Sequence, residues 1–189
     1  MPVMKLTRLI LSLTTLSLAA HAQAQLPAAP QPRMLCMFFD LNTMDAAAQS
    51  MAIDSAIQFV QQQATPVDRI SVMTYTSQLN LLQDFTDSHD GILAALRAIM
   101  PTAGNGAPAN PGTEFNIFTT DRQLAAIQAA VNLLAAFPEK KAMIYFSNSI
   151  ARPGIDNQAQ LRATTNAAIR ANVSIYSVDS RGLVAAPPR

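Results

Sequence analysis

Three short polar clusters are the places where this chain could do chemistry: Asp40-x-Asn42, Thr119-Thr120 and Ser147-Asn148-Ser149. Together they offer a carboxylate, amide oxygens and hydroxyls. Such a hard, oxygen-rich donor set suits magnesium or calcium when its loops converge. Ser, Thr, Asn and Asp also cap helices and close turns, and from residue types alone that is the simpler reading.

Other chemistries lack their parts. No G-x-S-x-G elbow presents a serine nucleophile, and no G-x-x-x-x-G-K-[ST] or G-x-G-x-x-G loop cradles phosphate. The two histidines, His21 and His89, cannot build a His-rich zinc site, and a Ser-His-Asp triad would have to use His89, inside a helix-capping stretch. Asp84, Asp87 and Asp90 read as a solvated turn and cap. The chain is expected not to be an enzyme.

The elements that would position the three clusters follow from patterning. Met34 to Phe39 is an unbroken apolar run ending at Asp40, as expected of a strand buried on both faces of a parallel sheet. Thr43 or Asp45 can cap a helix running to about Gln63, with Ile53, Ala56, Ile57 and Val60 on one face. Asp68 to Tyr75 and Leu79 to Phe85 read as a hairpin, and His89 to Met100 as a helix. Pro101 to Phe118 reads as a long irregular stretch, after which Thr119-Thr120-Asp121 caps a helix to about Ala136. A strand at Ala142 to Phe146, a helix capped by Asp156 and running from about Asn157 to Ala171, and a strand at Val173 to Val178 complete the order. Strands alternating with helices predict an α/β fold: a mostly parallel sheet between two helical layers, with one antiparallel edge hairpin. An acid at the C-terminal end of a central strand then stands where such sheets bind ligands.

The 189 residues suit one folded domain. Charged residues make up 13%, against about 25% in ordinary soluble domains. The net charge is +1 and no Lys/Arg cluster occurs, so nothing favours nucleic acid or an anionic membrane surface. Lys5 and Arg8 before the apolar stretch Leu9 to Ala20, followed by A-H-A and A-Q-A, read as a secretory signal peptide over residues 1–24. A Pro/Ala linker over 25–33, the domain over 34–184 and a tail over 185–189 follow, and the mature chain is expected outside the cytoplasm, periplasmic or extracellular. Cys36, alone and inside the apolar run, reads as an inert core residue.

The element order together with F-F-D-L-N-T-M, T-D-R-Q-L-A-A-I-Q-A-A, K-A-M-I-Y-F-S and N-V-S-I-Y-S-V-D resembles the von Willebrand factor type A domain. The resemblance covers about Arg33 to Val184 and is similar to a branch found in exported proteins of Acidobacteria. It implies a three-layer α/β/α, Rossmann-like fold. It also implies a metal-ion-dependent adhesion site at the C-terminal edge of the sheet, where a D-x-S-x-S motif, a loop Thr and a second Asp hold Mg2+ or another divalent cation that accepts a partner's carboxylate. Carried over, Asp40 matches the first acid, Asn42 the first Ser, Met44 the second Ser, and Thr120 the loop Thr, with Thr119 one register away. Ser147-Asn148 stands where the second acid would be. A thioether at Met44 is a soft ligand that magnesium does not favour, so the site reads as degenerate.

The expected function is a secreted or periplasmic, non-catalytic protein-interaction module. It would bind a protein partner through the loops at 40–45, 101–120 and 147–156, with Asp40, Asn42, Met44, Thr119, Thr120 and Asn148 at the face. Two alternatives stand beside it: cation-dependent adhesion at Asp40, Asn42 and Thr120, and a small exported hydrolase or solute-binding protein using Ser147 or Ser149.

Overall fold

A computed structural model describes residues 32–102, 113–148 and 155–180. The chain divides into two units, Met1–Gln31 and Pro32–Arg189. The signal peptide, most of the linker and the tail expected from the sequence lie outside the described residues.

The second unit carries β1 (Met34–Asp40), α1 (Ala46–Gln62), β2 (Arg69–Tyr75), β3 (Leu79–Thr86), α2 (His89–Arg97), α3 (Thr113–Leu134), β4 (Lys141–Ser147), α4 (Gln158–Arg170) and β5 (Val173–Asp179). The five strands lie in the order β3-β2-β1-β4-β5. All neighbours are parallel except the β2–β3 hairpin, which has register shifts near Val72.

The middle position of β1 explains its composition. All seven of its residues are buried, because helices cover both faces. Leu35, Met37 and Phe39 face one way, into a core with Ile70 and Val72 of β2, Ala52, Ile53 and Val60 of α1, and Ile92 and Leu96 of α2. Cys36 and Phe38 face the other way, toward Met143 and Tyr145 of β4, Ile127 and Val131 of α3, and Ala167 of α4. The alternation of side chains along a strand then sends Asp40 to the α3 side. Cys36 is fully buried and burial pushes its thiol up to about 12, which keeps it protonated and inert.

The three-layer α/β/α arrangement is therefore the one the sequence predicts, and its central strand is the apolar run. Asp45 caps α1 by accepting from the Ala48 N–H at 2.8 Å, and Ser88 caps α2 through Gly91. Asn172 ends α4 in the left-handed region at φ 53°, a conformation Asn tolerates.

Two boundaries differ from expectation. α3 starts at Thr113, so Thr119 and Thr120 lie inside a helix and not at its cap. The stretch T-E-F-N-I-F before them holds no Gly or Pro to stop the helix. Asp156 does not cap α4. The N-cap is Asn157, closing the short 3-10 turn Ile155–Asn157, and its side chain makes no capping bond.

Candidate functional site

Among the described residues, the C-terminal edge of the sheet is built from the ends of β1 and β4, the loop after β1, Asn148 after β4, and the first turns of α3. The crossover from β1 to β2 places α1 on one face, while β4 on the other side of β1 is reached through α3 on the opposite face. The boundary between β1 and β4 is thus the switch point at which open α/β sheets bind ligands.

Asp40 closes β1 at this point and is 1% exposed. Its Oδ2 accepts from the Tyr145 hydroxyl of β4 at 2.6 Å, and its Oδ1 accepts from the Asn42 N–H at 3.2 Å. Gln123 of α3, itself buried, faces both the carboxylate and the phenol. Register explains the meeting. Phe38 pairs with Tyr145, and both stack at 5.4 Å, so the phenol extends along the same face toward the end of β1. Burial pushes Asp40 above the usual carboxylate range, against the hydrogen bonds from Tyr145, Asn42, Thr43 and Gln123. Burial, with the adjacent Asp40, also raises the Tyr145 phenol.

A second buried polar group fixes the loops above. Gln49 of α1 has no exposed surface, yet its Nε2 donates to the carbonyls of Leu41 (3.0 Å), Met44 (2.9 Å) and Thr102 (3.2 Å). Its Oε1 accepts from the Thr102 N–H at 2.9 Å. One side chain therefore ties the β1–α1 loop to the segment after α2. Asn157 does the same on the far side, donating to the Ile117 carbonyl at 3.0 Å and the Asp121 Oδ1 at 2.7 Å.

The residues expected from the sequence fall into two groups. Asn42, Thr119 and Asn148 are partly exposed at this edge. Asp40 and Thr120, each 1% exposed, are brought to the edge but lie beneath its surface. Met44 is a correction: expected at the partner-facing loop, it is fully buried in the core shared with α1 and α2, where its apolar side chain fills the space under the loop. Ser147 is also buried, with its hydroxyl beside that of Tyr145. Asn148 carries a buried Oδ1 with no hydrogen-bond partner among the described residues. Ser149, and the loops over 103–112 and 149–154, lie outside the described residues. Tyr145, Gln49, Gln123 and Asn157 were not among the residues expected at this edge. An apolar strand hid the first, and a Gln/Ala-rich helix the second.

These donors do not fit the divalent cation that the resemblance implies. Both Asp40 oxygens already accept hydrogen bonds, and the Asn42 amide donates to the Thr76 carbonyl. Met44 lies in the core, and Thr120 is enclosed. Among the described residues no group of three or more His, Cys, Asp or Glu side chains is placed to hold a metal. A cleft of about 280 Å³ flanks the edge, lined by Met51, Asp54, Phe146, Asp179 and Ser180 among others.

Among the described residues no helix is long and apolar enough to cross a membrane. No protein-family model and no curated protein sequence matches the chain. Solved structures similar to it include an aerotolerance-related membrane protein from Bacteroides fragilis, at 14% identity over 77% of this chain with a TM-score of 0.49. BatB from Bacteroides thetaiotaomicron matches at 14% identity over 77% with a TM-score of 0.48. The vWF domain of the type V pili tip protein Mfa5 from Porphyromonas gingivalis matches at 22% identity over 65% with a TM-score of 0.44. The chain spans 66%, 65% and 39% of those chains, under two thirds of each.

Proposed function

We propose that this chain is an exported, non-catalytic protein-interaction module of von Willebrand factor type A kind, which binds its partner through the C-terminal edge of the sheet without a metal ion. The observation that carries the reading is Gln49. Burying an amide gains nothing for a hydrophobic core, and it is tolerated only when its hydrogen bonds are made. Here those bonds go to the backbone of two separate segments at one edge. The effect is to hold binding loops rigid before a partner arrives, which lowers the entropy cost of association. The edge so fixed lies at the switch point and presents Met100 and Phe118, which are 79% and 68% exposed. Met100 stands next to the segment that Gln49 ties down and Phe118 stands on helix α3; large apolar side chains on such rigid supports are suited to protein contacts.

A nucleophilic role for Ser147 is disfavoured by its burial, with its hydroxyl held beside the Tyr145 phenol. Export rests on the sequence of the first 24 residues.

The test compares edge variants with variants at the opposite end. Met100→Asp and Phe118→Asp should abolish retention of a native partner from the envelope or secreted fraction of the source cells. Leu133→Asp and Ile169→Asp, at helix ends near the other edge, should retain it, and a chelator should change nothing. Equal retention by all four variants would remove the assignment of the face.

A further inference from the structure

A sheet end of this kind, with a single buried acid and neutral donors around it, poses a physical question: what holds the carboxylate there? Four groups supply the answer, the backbone of Thr43 among them. Tyr145 reaches it from β4 at 2.6 Å, the Asn42 N–H from the acid's own loop at 3.2 Å, and Gln123 faces it from α3. Of these Tyr145 is the titratable one. A hydrogen bond to an ionised group is worth more than a neutral one. The phenol is anchored in turn: Tyr145 has no exposed surface, its ring stacks on Phe38, and Ser147 and Gln123 lie against its hydroxyl.

We propose that the Tyr145 phenol stands where a cation would otherwise serve, as a positioning residue that locks Asp40 into the sheet and makes this edge independent of divalent metal. The lock joins β1 to β4 across the switch point, and through Gln123 it reaches α3. The Asp40 carbonyl accepts from the Thr43 hydroxyl at 3.2 Å, so the same residue sets the start of the loop that Gln49 holds at its other end. Asp40 therefore organises the face from below and is not presented to the partner. What the lock serves rests on the interaction reading above. The lock itself is tested without a partner.

Two measurements on the full chain test it. In the first, magnesium, manganese and calcium are titrated calorimetrically into the wild type, and thermal unfolding is followed with each ion and with chelator. The lock predicts no saturable heat at millimolar ion and no shift in the unfolding midpoint. Saturable binding that Asp40→Asn abolishes would overturn it.

The second is a double-mutant cycle of Tyr145→Phe with Asp40→Asn, read by denaturant unfolding. At neutral pH, Tyr145→Phe should lower the folded-to-unfolded ratio about tenfold in the wild-type background, the size expected for a hydrogen bond to a charged group. The loss should shrink in the Asp40→Asn background and on acidification that protonates Asp40. The same loss in both backgrounds and at both pH values would mean that Tyr145 only packs, and the lock would fall. If the lock stands while the edge variants bind partner normally, the interaction reading fails alone.

Discussion

The two ends of the central strand treat a buried carboxylate in opposite ways. At its start, Asp68 has a fully buried side chain and receives the Arg33 guanidinium on both oxygens, with Nε at 2.8 Å, plus the Thr65 N–H at 2.7 Å. The Arg33 hydrogen bond holds Asp68 well below the usual carboxylate range. Nearby, the buried Lys141 amine donates to the carbonyls of Phe137 and Glu139, both at 2.6 Å. At the other end Asp40 has only neutral donors, and burial moves it the other way. The first end fastens the fold. The second buries a carboxyl group where ionising it costs stability, as residues retained for function commonly do.

Each prediction breaks or sharpens that contrast. The largest effect is expected for Gln49→Leu, which orphans the carbonyls of Leu41, Met44 and Thr102 and the Thr102 N–H. Unfolding free energy should fall by about 3 kcal/mol, and exchange protection should be lost first at the strand-end loops, as hydrogen exchange would show. A uniform loss across the sheet would mean that Gln49 supports the core and not the edge.

Asp68→Asn comes next. Arg33 is half exposed, so solvent screening discounts the pair, and a loss of about 2 kcal/mol at neutral pH is expected by denaturant titration. A group with a depressed native pKa contributes stability that is present above its unfolded pKa and lost as pH falls through the native value. The wild type should therefore weaken in acid, and Asp68→Asn should flatten that slope. Asn157→Ala should cost about 1 kcal/mol and loosen α3 against α4 with little change at β1.

The smallest effect, and the only gain, is expected for Asp40→Asn. With a raised native pKa, the stability tied to Asp40 is full below its unfolded pKa and is lost as pH rises through the native value. Removing the charge should leave the protein equally stable or better by about 0.5–1 kcal/mol at neutral pH.

How much of this was legible in the sequence differs between fold and site. The run Met34 to Phe39 announced a doubly covered strand because a central parallel strand has no polar face to show. Asp45, one of two cap candidates beside Thr43, announced its helix because capping is local. The site depends on contacts that no local pattern carries. Tyr145 meets Asp40 across 105 residues of sequence, and in its strand it looks like one more apolar residue. Gln49 sits in a helix where glutamine usually faces water. Met44, at the position of a motif donor, was pulled into the core because the loop beneath Gln49 needed filling. T-T-D at 119–121 resembles a cap, but Asp121 instead accepts from Asn157.

The most direct test of the contrast is unfolding free energy against pH for the wild type, Asp40→Asn and Asp68→Asn. At neutral pH Asp68→Asn should be destabilised and Asp40→Asn should not, with the two differences from wild type sloping in opposite directions as pH falls. If both variants lose stability to the same extent at neutral pH and recover together in acid, the two carboxylates do the same job, and the strand-end edge has no claim to be set apart from the rest of the fold.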